Sequence, residues 1–311
     1  MPRASDGLRS AAKSNWTPLP VPRIDALSHR KTPRREETQS LETRPWLLVG
    51  HRGASGEAPE NTLAAFKLAL DQGADGVEFD VHLTSDSVPV VIHDARLERT
   101  TNGSGFVFDH TLAALRRLDA SSWFNPRSLR LRSGTVSEVG PWPARSRPAY
   151  AGEKIPTLEE TLDWAKERRS RAFIEIKRGP RPYPRVEAKV LEAVRRTAAA
   201  PLVTIISFEL RALARLRRLD PKIVLGIDFT RPLLAELRAR RVGAQALLPF
   251  WPFASERFIR RAHAAGLRVI VWGLDREPPA RRLIAHGVDG IIANFPARLA
   301  ELRCVNRQVK V

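Results

Sequence analysis

The chain has 311 residues, of which 43% are hydrophobic, and its formal net charge at pH 7 is +18. This composition suits one large α/β domain or two ordinary ones, and it excludes a chain too polar to bury a core. No run approaches the roughly 18 apolar residues of a membrane helix, the first residues lack the apolar segment of a secretory signal, and one cysteine, Cys304, cannot form an internal disulfide. We therefore expect a globular, cytoplasmic protein.

The positive charge leaves two interpretations open. Clustered Lys and Arg would indicate a nucleic acid or an anionic membrane as partner. Here Arg is spread over helical segments such as LRALARLRRLD and LAELRARR, which is typical of solvated helix faces. We expect no specific nucleic-acid partner and at most a weak association with anionic membranes. The sequence does not indicate an oligomeric state.

Residues 1–44 are rich in Pro, Ser, Thr, Arg and Glu without periodicity, which predicts a disordered basic leader. We assign residues 45–303 to one domain and 304–311 to a tail. Within the domain, short apolar runs alternate with amphipathic helical patterns, which indicates a parallel sheet covered by helices. The predicted helices are 61–72, 158–167, 186–197 and 256–265. The predicted strands are WLLVG, GVEFDV, PVVIHD, AFIEIK, LVTIISF, KIVLGI, AQALLP, LRVIVW and DGIIAN.

Nine strands are one too many for a (β/α)₈ barrel. GVEFDV and PVVIHD are separated only by HLTSDSV, which is too short for a parallel crossover but suits an antiparallel return. Treating PVVIHD as a hairpin strand leaves an eight-stranded TIM barrel. A turn at 85–87 would set His93 across from Glu78. Residues 105–153 have little periodicity, and we expect a small insertion over the barrel mouth.

Strand alternation places three carboxylates where a site could form. Glu78 and Asp80 share one face of GVEFDV, and Glu175 shares a face of AFIEIK with Lys177. Like charges brought together in a partly dry site repel and lose hydration, and a bound Mg²⁺ or Ca²⁺ would relieve that cost. Salt bridges from Lys177 or Arg52 are the alternative explanation.

Two histidines and two cations accompany these acids. His51 ends the first strand and His93 ends the hairpin strand, so both could serve as general acid and base around one reacting group. Arg52 and Lys177 could contact non-bridging phosphate oxygens. His82 shares the inward parity of Asp80 and could also reach the site.

The next helix begins close to these residues. Asn61 or Thr62 is predicted to cap it. Glu60 could orient neighbouring groups or assist the metal, or it could be a simple acid of the first helical turn.

The motifs HRG, PENT, EFDV, VVIHD, RTTNGSG, IPTLEE and IEIK, in this order, resemble the bacterial glycerophosphodiester phosphodiesterase family, of the phosphatidylinositol phospholipase C-like superfamily. The resemblance runs from about Leu47 to Leu299. It implies a TIM barrel with a small insertion and one divalent cation, Mg²⁺ or Ca²⁺. The implied metal ligands are Glu78, Asp80 and Glu175, the implied acid/base pair is His51 and His93, and the implied phosphate contacts are Arg52 and Lys177. Phe208 and Trp272 match positions on the glycerol side, or are core aromatics, and Glu60 and Asn61 are supporting residues.

Three features depart from the family pattern. VWGLD, which ends at Asp275, replaces the commoner VWTVN, Asn294 stands where an aspartate is usual, and the insertion is longer. None touches the implied ligands or histidines, so they bear on substrate fit.

The implied reaction is hydrolysis of a glycerophosphodiester to glycerol 3-phosphate and an alcohol. Two alternatives remain: a lysophospholipase D-like or phosphoinositide phospholipase-like enzyme acting on a lipid, and a basic polyanion-binding protein without catalysis.

Overall fold

The computed structural model describes residues 46–124, 150–179, 183 and 185–305. The predicted leader, most of the predicted tail and the middle of the predicted insertion lie outside this range. The strands are β1 (Leu47–His51), β2 (Gly76–Leu83), β3 (Pro89–Val91), β4 (Arg171–Ile176), β5 (Val203–Ser207), β6 (Leu225–Phe229), β7 (Ala246–Pro249), β8 (Arg268–Trp272) and β9 (Gly290–Ala293). The helices are α1 (Leu63–Asp71), α2 (Leu112–Leu115), α3 (Leu158–Glu167), α4 (Val186–Arg196), α5 (Leu210–Leu219), α6 (Ala235–Val242), α7 (Glu256–Ala264), α8 (Glu277–Ala285), α9 (Pro296–Ala300) and α10 (Leu302–Val305), with 3₁₀ turns at Val107–Asp109, Ala200–Leu202 and Trp251–Phe253.

Eight parallel strands close into a barrel. The sheet order is β1-β9-β8-β7-β6-β5-β4-β2-β3, and an additional β1–β2 pairing completes the ring. β3 pairs antiparallel with β2 outside that ring. The predicted (β/α)₈ barrel with a hairpin strand is confirmed.

The hairpin register differs by one residue from our prediction. Val81 pairs with Val91 and Leu83 pairs with Pro89, and the Ile92 N–H still donates to Asp80 O at 3.0 Å. His93 therefore follows the position opposite Asp80 instead of lying across from Glu78. The turn itself lies where we predicted it, because hydrogen bonds between Thr84 and Val88 close it about position 86. A turn centred there sets position 93 opposite Phe79, so the error lies in the pairing that we drew from the turn.

The barrel strands divide their side chains between two cores. Val77, Phe79, Val81, Ile174 and Ile176 pack outward in the large core that includes helix residues. The barrel interior holds a smaller cluster of Val49, Phe173, Ile206, Ala246, Leu248, Ile270 and Ile292. Since side chains alternate along a strand, Glu78, Asp80 and Glu175 lie on the faces opposite the outward apolar residues.

The helix ends follow local capping chemistry. Thr62 is the N-cap of α1, and its hydroxyl accepts a hydrogen bond from the Ala65 N–H at 3.2 Å. α3 spans the predicted 158–167 and begins with a capping box between Thr157 and Glu160. α8 was not among the predicted helices. It contains two prolines, and both stand in its first turn, where the missing N–H groups have no helical partner.

The described part of the predicted insertion packs against the hairpin. Val107, Leu115 and Ala120 form a small core with Val90, Leu97 and other residues nearby. None of the helices in the described residues is both long and apolar enough to cross a membrane.

Candidate active site

Three carboxylates from two neighbouring strands meet towards the carboxyl ends of the barrel strands. Glu78 and Asp80 alternate on β2, and Glu175 on β4 pairs in register with Asp80. One carboxylate oxygen of each lies within 4.8 Å of the others, and all three residues are buried. This end of a (β/α)₈ barrel is where the loops assemble functional sites.

Two cations offset part of this negative charge. Lys177 Nζ lies 3.0 Å from Asp80 Oδ1 and 2.7 Å from Glu175 Oε2. Arg52 Nε lies 3.2 Å from Asp80 Oδ2. Burial alone would raise the pKa of Asp80, but Lys177 and Arg52 outweigh it and hold that pKa well below its usual range. Asp80 is therefore an ionised carboxylate.

Glu78 and Glu175 are less well compensated. Burial, with the charge of Asp80, raises the pKa of Glu78 well above its usual range and raises the pKa of Glu175 to about 7. Among the described residues, Glu78 Oε1 is buried without a hydrogen-bond partner, a situation that costs about 1–3 kcal/mol. Carboxylate oxygens are the ligands that Mg²⁺ and Ca²⁺ prefer, so the three acids fit a hard divalent cation.

His51 is held by a chain of hydrogen bonds that sets its tautomer. Its Nδ1 lies 2.7 Å from Asn294 Oδ1, and its Nε2 lies 3.9 Å from Glu78 Oε2. The expectation that the departure at position 294 touches neither histidine is therefore wrong. The Asn294 backbone N–H and Nδ2 both donate to Asp275 at 2.6 Å. Because the amide NH₂ is used there, the Asn294 carbonyl faces His51, which must donate from Nδ1 and leave Nε2 unprotonated. Burial, together with Arg52, lowers the pKa of His51 to about 4.

His93 has a different neighbourhood. Its Nδ1 lies 2.6 Å from Asp94 Oδ1, and Asp94 also accepts hydrogen bonds from Arg99 at 2.5 and 3.1 Å. Burial would raise the pKa of Asp94, but Arg99 and His93 lower it to about 2. Burial lowers the pKa of His93, while Asp80 and Asp94 oppose that effect. An ionised carboxylate on Nδ1 orients the ring and stabilises its protonated form.

Glu60 and Asn61 support the charged groups. Glu60 accepts hydrogen bonds from Arg52 at 3.0 Å and from Arg99 at 2.7 and 2.9 Å. Asn61 Nδ2 donates to Asp80 Oδ2 at 2.8 Å. Glu60 therefore links the two arginines, and Asn61 fixes one oxygen of Asp80.

The loop after β1 folds sharply so that Arg52 enters the site. Arg52 has φ +55°, and its backbone N–H donates to Glu78 Oε2 at 3.1 Å. Gly53 has φ +81°, and a Cβ at this position would lie 2.5 Å from the carbonyl carbon of Ala65. The HRG sequence therefore needs glycine at position 53 because the chain touches α1 there.

His82 has the inward parity of Asp80, but its ring is fully engaged. Its Nδ1 lies 2.6 Å from the Tyr183 hydroxyl, and its Nε2 lies 2.9 Å from the backbone oxygen of His93. Burial lowers the pKa of His82 to about 4. His82 thus positions the backbone of His93 and presents no free ring nitrogen to the carboxylates.

Two aromatic residues and one further acid lie at the carboxyl ends of their barrel strands. Phe208 and Trp272 meet edge to face with ring centroids 6.0 Å apart, and Trp272 Nε1 donates to Leu248 O. Phe208 and Asp228 line a cavity of about 720 Å³. Asp228 is buried, its Oδ2 has no hydrogen-bond partner among the described residues, and burial together with Glu175 raises its pKa well above the usual range.

The structure gathers the predicted polar residues at one mouth and adds four that the sequence did not single out. Those four are Asp94, Arg99, Asp228 and Asp275. Asp94 adjoins a predicted histidine, and Asp275 lies in a segment that we noted as unusual, so both had a signal in the sequence. Asp228 lies one residue beyond the predicted end of its strand and had none.

Comparison with known proteins gives a consistent picture. Residues 51–298 match the model of the glycerophosphoryl diester phosphodiesterase family. A glycerophosphodiester phosphodiesterase of Caldanaerobacter subterraneus is 35% identical over 82% of this chain and 97% of its own, and one of Bacillus subtilis is 33% identical over 80% and 84%. The solved structure of an Oleispira antarctica phosphodiesterase in complex with its product sn-glycerol-3-phosphate superposes with a TM-score of 0.69 at 28% identity, covering 85% of this chain and 98% of that one.

Proposed function

The chain belongs to the glycerophosphoryl diester phosphodiesterase family, and on that premise we propose that it hydrolyses glycerophosphodiesters with a divalent cation and two histidines. Its activity class is that of a phosphoric diester hydrolase. The observation that carries the proposal is the grouping of Glu78, Asp80 and Glu175 within 4.8 Å, beside the uncharged Nε2 of His51.

Glu78, Asp80 and Glu175 would hold one Mg²⁺ or Ca²⁺. When bound, the cation would neutralise charge on the phosphoryl oxygens. The unpartnered Oε1 of Glu78 and the raised pKa of Glu175 support this assignment, because Glu78 Oε1 has no hydrogen-bond partner among the described residues and Glu175 shares Lys177 with Asp80. Arg52 and Lys177 would bind the non-bridging oxygens, Arg52 through its planar fork and Lys177 as a point charge.

His51 is the better candidate for the general base. The Asn294 carbonyl holds the proton on Nδ1, so Nε2 can accept a proton, and the lowered pKa keeps the ring neutral near neutral pH. His93 is the better candidate for the general acid, because the Asp94 carboxylate on its Nδ1 opposes the lowering of its pKa by burial, whereas His51 has a neutral amide at that position. His51 would take a proton from the nucleophile, and His93 would give one to the departing alkoxide.

The products would be glycerol 3-phosphate and an alcohol. The Oleispira antarctica phosphodiesterase holds sn-glycerol-3-phosphate as product, which supports this product for the present chain. The nucleophile is water or the glycerol 2-hydroxyl, which would give a cyclic phosphate first. Phe208 and Trp272 would line the glycerol side.

The test is a screen of glycerophosphodiesters with and without EDTA, followed by rescue with Mg²⁺ or Ca²⁺. His93→Ala should lower kcat by roughly 10²–10⁴-fold with cation binding retained. His263→Ala is the matched control, because His263 also contacts a carboxylate, Asp289, at 2.8 Å but far along the sequence at another part of the barrel. Turnover that survives EDTA, or equal losses in the two variants, would refute the assignment.

The two alternative functions predict other outcomes. A lysophospholipase D-like enzyme would turn over lysophosphatidylcholine faster than glycerophosphocholine. A polyanion-binding protein would bind DNA in a salt-sensitive manner and show no cation-dependent turnover.

A further inference from the structure

Large apolar side chains stand exposed in the loop before α6 and in the first turn of that helix. Leu233, Leu234 and Leu237 are 67%, 57% and 56% exposed. Among the described residues, the other large apolar side chains with comparable exposure are Phe208, Leu219 and Phe253. Half of these exposed side chains therefore fall within five consecutive positions. We call Leu233, Leu234 and Leu237 the leucine ridge.

The backbone of the ridge gives no reason for leucine. Leu234 has φ +53°, in the left-handed region that favours glycine or asparagine and is an outlier for a bulky residue. The packing of α6 against the barrel is carried by Ala235, Ala239 and Val242, which are buried. A leucine that is both strained and exposed gains nothing within the isolated fold, which points to an apolar environment supplied from outside.

Arginines flank the ridge. Arg231 precedes it, Arg238 follows it, and Arg241 lies one turn after Leu237 on α6. Within the described residues none of these three arginines has an ion pair or a side-chain hydrogen bond. The acid of this segment, Glu236, is occupied by Arg261 at 2.7–2.8 Å. The surface around the leucines is therefore positively charged.

One residue of the ridge shares a cavity with Asp228, whose charge acts on Glu175 of the candidate active site. Leu233, Arg231 and Arg238 line the cavity of about 720 Å³ that Phe208 and Asp228 share. This cavity lies at the mouth of the barrel. An enzyme bound to a membrane would need its mouth to open towards that membrane.

We propose that the leucine ridge is a docking segment for an anionic lipid bilayer, with the leucines in the interface and Arg231, Arg238 and Arg241 on the headgroups. Apolar side chains inserted at headgroup depth and flanking arginines on anionic lipids are the two contributions that interfacial segments combine. A second copy of the chain fits less well. A two-fold contact through the ridge would bring these arginines close to their own symmetry mates.

Vesicle co-sedimentation of the full chain tests the proposal independently of any reaction. The probes are vesicles of phosphatidylcholine alone and vesicles with about one third phosphatidylglycerol. The wild-type chain should bind the anionic vesicles, and Leu234→Ser/Leu237→Ser should weaken that binding at least about tenfold. Leu234→Asn should also weaken it while the melting temperature stays equal or rises, because asparagine relieves the backbone strain.

Leu219→Ser is the matched control. Leu219 is 50% exposed, but it ends α5 at the opposite end of the barrel. The basic residues of 1–44 are present in the wild type and in all variants, so they cannot cause a difference in vesicle binding between them. Absent binding, or equal binding by wild type, Leu234→Ser/Leu237→Ser and Leu219→Ser, would overturn the proposal. So would a dimer that the double substitution dissociates without any vesicle binding.

Discussion

The tautomer of His51 depends on a carboxylate that does not touch it. Asp275 Oδ1 accepts from the backbone N–H of Asn294 at 2.6 Å and of Phe295 at 3.2 Å, and its Oδ2 accepts from Asn294 Nδ2 at 2.6 Å. Asn294 Oδ1 consequently faces His51 Nδ1 at 2.7 Å and the Ser55 hydroxyl at 3.0 Å. Asp275→Asn would put an NH₂ donor in place of one of these acceptors.

Two donors cannot face each other at hydrogen-bond distance. If the new amide keeps its carbonyl on the backbone N–H groups, Asn294 must turn over and present its own NH₂ to His51. Nδ1 would then accept, the proton would move to Nε2, and His51 could no longer serve as the proposed general base. The hydrogen bond at stake involves a charged group and is worth about 2–3 kcal/mol, which corresponds to a fall of roughly 30- to 150-fold in kcat/KM.

The assay compares kcat/KM on a glycerophosphodiester at saturating cation, with circular dichroism melts to show that the fold persists. The exchange variant Asp275→Asn/Asn294→Asp restores one carboxylate and one amide, so it should recover most of the loss. Its carboxylate would raise the pKa of His51 from about 4, so the acidic limb of the pH profile should move up by roughly one unit. Full activity in Asp275→Asn, or no recovery in the exchange variant, would refute this reasoning.

Three further outcomes can be measured. Glu78→Gln should abolish turnover and raise the melting temperature in EDTA. Burial raises the pKa of Glu78, so its ionisation weakens folding at pH values above the ordinary glutamate pKa, and glutamine removes that cost. A lower melting temperature of the variant would contradict this. Cation affinity by calorimetry should rise between about pH 6 and pH 8, because Glu175, with a pKa of about 7, must lose its proton; a flat profile would count against it as a ligand. Gly53→Ala should lower the free energy of unfolding, measured in urea, by about 2–4 kcal/mol. Gly266→Ala is the control: its Cβ would meet nothing within 4 Å at a similar φ, and it should lower the same free energy by about 1 kcal/mol. Equal losses would show that the contact with α1 is unimportant.

Strand periodicity was sufficient to predict the barrel and the faces of its strands. The alternation in GVEFDV separates Glu78 and Asp80 from Phe79, and the structure buries Phe79 in the outer core. Length alone identified the hairpin strand, because HLTSDSV cannot span a crossover. The turn at 85–87 was also predicted correctly, and hydrogen bonds between Thr84 and Val88 hold it there. Only the residue opposite His93 was wrong, by one position, and a one-residue change moves a side chain to the other face.

Asp228 shows where periodicity fails. The apolar pattern KIVLGI predicts a strand that ends at Ile227, whereas β6 runs from Leu225 to Phe229. The strand begins three residues later because the preceding residues form the turn after α5, and this shift carries Asp228 from a predicted loop into the barrel. A buried acid of this kind is recognised only when the neighbouring strands show what it faces.

Asp275 and Asn294 separately appear as two unrelated departures from the pattern that the sequence resembles, which would have an asparagine and an aspartate at these positions. The structure places them in direct contact at 2.6 Å, so the two departures are one exchange of a carboxylate and an amide. Either order supplies one acceptor-only group and one group that can both donate and accept, and either order presents an acceptor to His51 Nδ1. The difference is the charge beside the imidazole. A neutral amide leaves the pKa of His51 lower than a carboxylate would, which suits its proposed role as a base that stays unprotonated in mildly acidic solution.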